Sequence, residues 1–341
     1  MAGIIETFVE ALPDPVLVIG ADQRVMAANK PARALFPALR AQSALPLVIR
    51  SPDVLDATMR VLAGGEATTT MLHERVPLER LFEVHAAPLR GEQGACAVLT
   101  LRDLTDARRV EKMRVDFIAN ASHELRTPLA SLLGFIETLE GAAKEDPVAR
   151  ERFLAIMRDQ GRRMARLIDD LLSLSRIEQQ QHLRPQSPVD LVDIVRHCID
   201  ALTPLATENS VRVEIEAPER LIVAGDRDEL TRVAENLIEN AIKYGAGDDG
   251  EARAVEVKLS AGHNVARLSV RDHGAGIAPE HLPRLTERFY RVDAGKSRAK
   301  GGTGLGLALV KHIVARHRGV LRIWSLPGEG AEFTVELPSD A

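Results

Sequence analysis

Aromatic side chains are scarce: Phe, Trp and Tyr make up 3% of 341 residues, with one Trp and two Tyr. Hydrophobic residues still reach 45%, so the cores must be built from Ala, Val, Leu and Ile. A large planar cofactor would find few rings to stack on. Cysteine is as sparse. Cys96 and Cys198 stand far apart, which excludes a disulfide framework or cysteine-rich zinc site and fits a reducing compartment. Positive charge is not in excess, since 44 Lys+Arg against 49 Asp+Glu leaves −5. That excludes a broadly basic nucleic-acid binder, and no direct nucleic-acid binding is expected. No apolar run approaches the ~20 residues that span a bilayer, and Met1–Glu10 lacks a signal-peptide layout. The expectation is a cytoplasmic chain, or the cytoplasmic part of a membrane-anchored protein. The length predicts two or three domains.

What is present falls into three segments, 1–105, 106–182 and 183–341. In the first, Pro15–Ile19, Val25–Ala28, Leu81–Ala87 and Ala95–Leu101 read as strands and Pro31–Leu35 as a short helix, an α+β pattern. The second is helical. Val110, Met113, Phe117, Ala121, Leu125, Leu132, Ile136 and Leu139 recur mostly at steps of three or four. After a break, Asp146-Pro147 predicts a helix start. Phe153, Met157, Gln160, Met164, Leu167, Leu171 and Leu174 then form a near-strict heptad seam. Two such helices cannot bury both apolar faces alone, which predicts a hairpin that pairs with a second copy as a four-helix bundle. Arg108–Arg114 and Arg158–Arg166 read as solvated helix faces.

The third segment is α/β. Val211–Glu216, Leu221–Val223, Val255–Ser260, Ala266–Arg271, Val320–Ser325 and Glu332–Leu337 read as strands. Leu191–Thr207, Arg227–Tyr244 and Gly304–Arg316 read as helices, the second opened by a capping box of Asp226 and Glu229.

Within the second segment, His123 lies two residues from both Ala121 and Leu125 of the apolar stripe. Two residues turn a helix about 200°, so the imidazole points into water. Alone it reads as a solvated histidine. Its company changes that: Glu124 is adjacent and can orient or deprotonate the ring, and Thr127 lies one turn on. Pro128 removes a helix hydrogen bond and predicts a bend just past the histidine. A neutral exposed imidazole is a competent nucleophile toward a phosphoryl group.

The third segment supplies a phosphoryl donor site. Asn236, Asn240 and Lys243 share the polar side of one helix, where asparagine is a poor helix former and needs a reason. Amide oxygens beside a lysine suit Mg²⁺ and phosphates. Asp272 ends a strand before Gly274 and Gly276, which permit close backbone approach. The loop Gly301-Gly302-Thr303-Gly304-Leu305-Gly306 runs into an apolar helix, offering N–H groups and a positive dipole end to phosphate. It matches neither a Walker P-loop nor a dinucleotide fingerprint. Between the glycine motifs, the polar and basic stretch 293–300 suits a lid carrying Lys296 and Arg298. Gly328 and Gly330 read as a structural turn.

In order along the chain, NASHELRTPL (120–129), ENLIENAIKYG (235–245), RDHGAGI, ERFYRVD (287–293), GGTGLGLALVKHI and PGEGAEF resemble the H, N, G1, F, G2 and G3 boxes of sensor histidine kinases. The opening LPDPVLVIGADQRVMAAN resembles a PAS sensor domain. LTERFYRVD and VKHIVARHRG are most similar to phosphate-regulon sensor kinases, which implies phosphate-starvation signalling. The resemblance implies a multi-domain α+β chain. A PAS-like α/β module (1–105) would precede a dimerising helical hairpin (106–182) and an α/β-sandwich ATP-binding domain (183–341). It implies ATP and Mg²⁺, a homodimer, and a response-regulator receiver domain as partner.

By residue, the resemblance implies His123 as phosphoacceptor, Glu124 assisting proton transfer, and Thr127 positioning water for dephosphorylation of the regulator. Asp272 would bind the adenine amino group, with Tyr244 near the base. Asn236 and Asn240 would hold Mg²⁺, Lys243 the phosphates, and Arg291 the γ-phosphate during transfer. Gly274, Gly276, Gly302, Thr303, Gly304, Leu305 and Gly306 would shape the nucleotide loops, with Lys296 and Arg298 on the lid. His273 departs from the asparagine common in its box, and transmembrane helices usual in the family are missing. The PAS ligand stays open: His73 and His85 read as surface or sheet histidines, and Cys96 lacks flavin-adduct surroundings. Alternative readings are a non-kinase ATPase of the same fold, which would lack the His123-Glu124-x-x-Thr127 set, and a phosphatase-dominant member or inactive scaffold.

Overall fold

The computed structural model describes residues 7–40, 42–74, 79–91, 94–180, 182–245, 253–293 and 302–339. Lys296 and Arg298, expected on a lid, lie outside them. The chain divides into two compact units, Met1–Ile118 and Ala119–Ala341.

In the first unit, β1 (Val16–Ile19), β2 (Val25–Ala28), β3 (Thr68–Glu74), β4 (Arg80–Gly91) and β5 (Gly94–Asp103) form one sheet ordered β2-β1-β5-β4-β3. Every pairing is antiparallel. Helices α1 (Lys30–Leu35), α2 (Leu45–Val48) and α3 (Pro52–Leu62) occupy the β2–β3 connection. Their apolar side chains join those of the sheet in one core, with Leu17, Ile19, Leu45, Ile49, Val54, Phe82, Leu99 and Leu101 sealed from solvent. Asn29 holds the entry to this core. Its Oδ1 accepts from Val16 N and Ala32 N at 3.0 Å each, and its Nδ2 donates to the carbonyls of Leu12 and Asp14. One buried amide thus caps α1 and ties it to β1, meeting all its hydrogen-bonding needs.

Helix α4 (Thr105–Glu140) runs from the first unit into the second, where α5 (Pro147–Gln179) follows. Pro128, expected to bend α4, is buried within one uninterrupted helical element. Asp146 caps α5 as expected, accepting from Val148 N at 3.0 Å and Ala149 N at 2.9 Å. Phe135 of α4 stacks on Phe153 of α5, centroids 5.1 Å apart. Along the seam Leu167 and Leu174 are buried, but Phe153, Met157, Gln160, Met164 and Leu171 are only half-buried. Leu129, Leu133, Ile136, Leu154, Ile168 and Leu172 remain exposed. One chain therefore leaves much of the hairpin's apolar surface in water.

The rest of the unit is a helix layer on a mixed sheet. The sheet is ordered β11-β12-β10-β9-β7, from β7 (Val211–Glu216), β9 (Arg253–Gly262), β10 (Val265–Asp272), β11 (Val320–Ser325) and β12 (Ala331–Pro338). All pairs are antiparallel except β7 with β9. A small pair, β6 (Pro188–Asp190) and β8 (Ile222–Ala224), stands apart. Helices α6 (Leu191–Glu208) and α8 (Gly306–Arg316) flank α7 (Arg227–Gly245), which packs on β9 and β10. Val255, Val257, Leu259, Leu268, Val270, Phe333 and Val335 face this layer and are buried. Each such side chain contributes about 1.5–3 kcal/mol through removal from water.

The start of α7 departs from the expected capping box. Asp226 Oδ1 accepts from Asp228 N at 3.0 Å and Glu229 N at 3.1 Å, but Glu229 does not reach back. Its carboxylate pairs with Arg316 of α8, and the Asp226 N–H goes instead to His317 Nε2 at 3.0 Å. Tertiary partners replace the local reciprocal bond.

Candidate nucleotide and phosphoacceptor site

The buried stripe Leu230, Val233, Ala234, Leu237, Ile238, Ala241 and Ile242 seats α7 on the sheet. Asn236, Asn240 and Lys243 are thereby left on its partly accessible side. Asn236 Nδ2 donates to the Arg232 carbonyl at 2.8 Å. Its amide donor is thus satisfied within the helix, and its Oδ1 faces the start of α8, 2.2 Å from where a Cβ on Gly306 would stand. Only glycine fits that approach. Asn240 makes no side-chain hydrogen bond among the described residues. Lys243 Nζ pairs with Glu239 at 2.6 Å, one turn back.

At the end of β10, Asp272 is 5% exposed, and its Oδ1 accepts from Gly274 N at 2.9 Å. Burial pushes its carboxyl above the usual range, opposed by hydrogen bonds from the Gly274 and Ala331 backbone. Gly274 passes so close to α7 that a Cβ would stand 2.1 Å from the Tyr244 carbonyl oxygen. Tyr244, Asp272 and Gly274 are thus brought together, with the Tyr244 side chain 41% exposed. Gly276 turns the chain at φ +69°. Gly330, which the sequence marks only as a turn, adopts φ +79° and leaves no room for a Cβ beside the Asp272 carbonyl oxygen, 1.9 Å away. The G3 turn therefore backs the buried aspartate.

The second glycine loop reaches toward the hairpin. Gly302 O accepts from Arg291 Nη2 at 2.8 Å, and Gly304 adopts φ +74°. Thr303 Oγ1 donates to Asp170 Oδ2 of α5 at 2.9 Å and accepts from Leu305 N at 3.3 Å. Leu305 is buried and anchors the loop. Burial raises the Asp170 carboxyl above its ordinary range, and the Thr303 hydrogen bond opposes this. Asp170 was not among the expected site residues.

His123 is exposed on α4, as its helical phase requires, and its ring makes no hydrogen bond among the described residues. Thr127 Oγ1 donates to the His123 carbonyl at 3.2 Å. The Glu124 carboxylate is held by two guanidinium groups. Its Oε2 accepts from Arg163 Nη2 at 3.3 Å and Arg291 Nη2 at 3.1 Å. Arg163 is therefore no solvated helix-face residue. It lies on the side of α5 that also carries Asp170, and its partner is remote in sequence. Arg291 is 7% exposed, and its Nε is buried without a partner among the described residues. No group of three or more His, Cys, Asp or Glu among the described residues could hold a metal ion. No helix among the described residues is long and apolar enough to cross a membrane.

Comparison with known proteins assigns each part of the chain to a family. Residues 9–109 match the PAS fold, 113–180 the His Kinase A (phospho-acceptor) domain, and 225–341 the histidine kinase-, DNA gyrase B-, and HSP90-like ATPase family. The chain is 40% identical over 237 residues to the phosphate regulon sensor protein PhoR of Pseudomonas aeruginosa, covering 70% of this chain and 53% of that protein. The Acinetobacter baumannii histidine kinase AdeS superimposes with TM-score 0.51 at 26% identity, over 64% of this chain and 98% of that one. The histidine kinase ThkA, solved in complex with the response regulator protein TrrA, matches 98% of both chains with TM-score 0.50 and 20% identity, a likeness of fold. With a PAS fold, a phosphoacceptor hairpin and this ATPase domain on one chain, the protein belongs to the sensor histidine kinases.

Proposed function

We propose that this chain is an ATP-dependent protein-histidine kinase that phosphorylates His123 and passes the phosphoryl group to an aspartate of a response-regulator receiver domain. The observation that carries the reading is the exposed, unbonded His123 ring on the same unit as the Asn236–Asn240–Asp272 site. The proposed domain limits are 1–105, 106–182 and 183–341. Two copies pair through the exposed face of the hairpin, and Leu129, Leu133, Ile136, Leu154, Ile168 and Leu172 give that pairing its apolar surface.

The nucleotide site fits ATP with Mg²⁺. Asn236 turns an amide oxygen toward Gly306, Asn240 has a carboxamide without a partner among the described residues, and both are hard oxygen donors. Bound there, Mg²⁺ would neutralise phosphate charge and align the γ-phosphate. Asp272 accepts from the adenine amino group while Tyr244 packs beside the base. Lys243 exchanges Glu239 for phosphate oxygens. The N–H groups of Gly302, Thr303, Gly304, Leu305 and Gly306 line the phosphates at the start of α8. Arg291, whose Nε has no partner among the described residues, moves to the γ-phosphate, and Lys296 and Arg298, outside the described residues, are proposed as further phosphate contacts. Catalysis is then positioning and electrostatics, with the imidazole as nucleophile. Glu124 takes the imidazole proton. Thr127 positions water for the reverse task, dephosphorylation of the regulator. Likeness to a phosphate regulon sensor protein supports a place in phosphate-starvation signalling.

The test is incubation with Mg²⁺ and ATP labelled in its γ-phosphate. Wild type should acquire an acid-labile label and His123→Ala none. Label retained by His123→Ala would overturn the proposal.

A further inference from the structure

Glu124 is paired twice through one oxygen. Arg163 and Arg291 both donate to Oε2, while Oε1 accepts no hydrogen bond among the described residues. The two cations differ in what they belong to. Arg291 lies in the segment joining η-turn Leu282–Arg284 to the second glycine loop, where it also donates to the Gly302 carbonyl. Arg163 lies on α5, within the same hairpin as Glu124. A movement of the nucleotide loops that took Arg291 with it would leave Arg163 on the hairpin beside Glu124.

That difference matters because the carboxylate is only 17% exposed and Arg163 19%. A charge so sheltered is costly without a partner, and losing one partner of a sheltered pair leaves the other uncompensated. A single remaining guanidinium also fixes which way the carboxylate faces. With Oε2 held, Oε1 is the oxygen left to receive a proton.

We propose that Arg163 is a positioning residue for the phosphorylation of His123. It keeps the Glu124 carboxylate oriented through Oε2 after Arg291 has left for the nucleotide, so that Oε1 can take the imidazole proton. The proposal rests on the kinase reading above. In the step, one imidazole nitrogen forms a bond to the γ-phosphorus as the bond from that phosphorus to the bridging oxygen of ADP breaks. The proton on the other imidazole nitrogen passes to Glu124 Oε1. Arg163 makes and breaks no bond. Arg291 thus has two roles in sequence, a latch on Glu124 and then a ligand of phosphate, whereas Arg163 has one.

The test uses the full chain with Mg²⁺ and γ-labelled ATP, measuring the initial rate of His123 labelling against ATP concentration. R163A should lower the rate at saturating ATP by about tenfold or more, part of the ~10²–10⁴-fold that a positioned proton acceptor contributes, and leave the apparent KM for ATP little changed. R163K should recover much of that rate. In an E124Q background, adding R163A should lower the rate no further, because the positioning role of Arg163 runs through the carboxylate. A wild-type rate in R163A, an equal loss with or without Glu124, or no recovery in R163K would overturn the proposal. If wild type itself takes no label, the kinase reading has failed, and thermal unfolding then tests the pairing directly. R163A should lower the melting temperature and E124Q should restore it. Independent, additive shifts would overturn the pairing.

Discussion

At the scale of single residues, the proposed nucleotide site is set by approaches too close for ordinary side chains. A Cβ on Gly306 would stand 2.2 Å from Asn236 Oδ1, so G306A must push that amide out of place. The expected result is at least a tenfold loss of ATP affinity, about 1.4 kcal/mol, in a chain that keeps its helical circular dichroism; affinity within twofold of wild type would contradict it. His317 offers a different residue-scale test. Its Nδ1 bonds the Ile313 carbonyl at 2.8 Å while its Nε2 accepts the Asp226 N–H. The buried ring is therefore neutral with its proton on Nδ1. Burial is the first cause holding its pKa below the ordinary value of 6.5, with Arg316 and Arg184 adding to the effect and the Ile313 carbonyl and Asp226 opposing it. Below about pH 6.5 the unfolded chain takes up a proton that the folded chain resists, so stability present above that pH is lost as it falls. Melting temperature should drop between about pH 7.5 and about pH 5.5, and less steeply in H317Q; equal drops would contradict this. His312, also lowered chiefly by burial, adds a slope of the same sign that H317Q leaves intact. Asn236 and Asn240 were legible in the sequence because asparagine within a helix is costly and invites a reason. Gly330 and Arg163 were not, since each is needed by a residue far along the chain, Asp272 and Glu124, and no local spacing reports such a need.

At the scale of elements, helix ends and helix faces carry the next tests. Asp226 caps α7 through two backbone N–H groups, and D226A should cost about 1 kcal/mol, read as a lower melting temperature. The exposed face of the hairpin gives a sharper outcome. Leu133 and Leu172 are 52% and 53% exposed in one chain, and L133E with L172E should convert a dimer to a monomer in sedimentation. A monomeric wild type would contradict the four-helix pairing. α5 could be read from Asp146, Pro147 and the heptad repeat, because helix capping and period are local. β3 and the helices α2 and α3 could not. In Thr68–Glu74 only Leu72 is buried, so no alternation of apolar residues marks the strand, and its place comes from pairing with β4.

At the scale of the whole molecule, the scarcity of aromatics has a structural counterpart. Aliphatic cores fill both units, and Tyr244 is left 41% exposed at the proposed nucleotide site. α5 joins the hairpin to the ATP-binding domain by a line of polar contacts. Arg166 meets Glu239 at 3.8 Å, Asp170 meets Thr303, and Glu178 meets Arg288 and lies 3.6 Å from His312. Lys243, Thr303 and Arg291 are thus engaged with protein groups that phosphate must displace if they bind it as proposed, so nucleotide loading and release of this seam should then be one event. D170N should raise the apparent affinity for ATP, by lifting competition for Thr303. Unchanged or weaker binding would contradict that competition. The most direct test of the central claim is to map the phosphate after incubation with Mg²⁺-ATP, by mass spectrometry under conditions that preserve phosphohistidine. A single phosphohistidine at His123, absent without Mg²⁺ and absent in an N240A chain, is the expected result. Phosphate on another residue, or none at all, would contradict it.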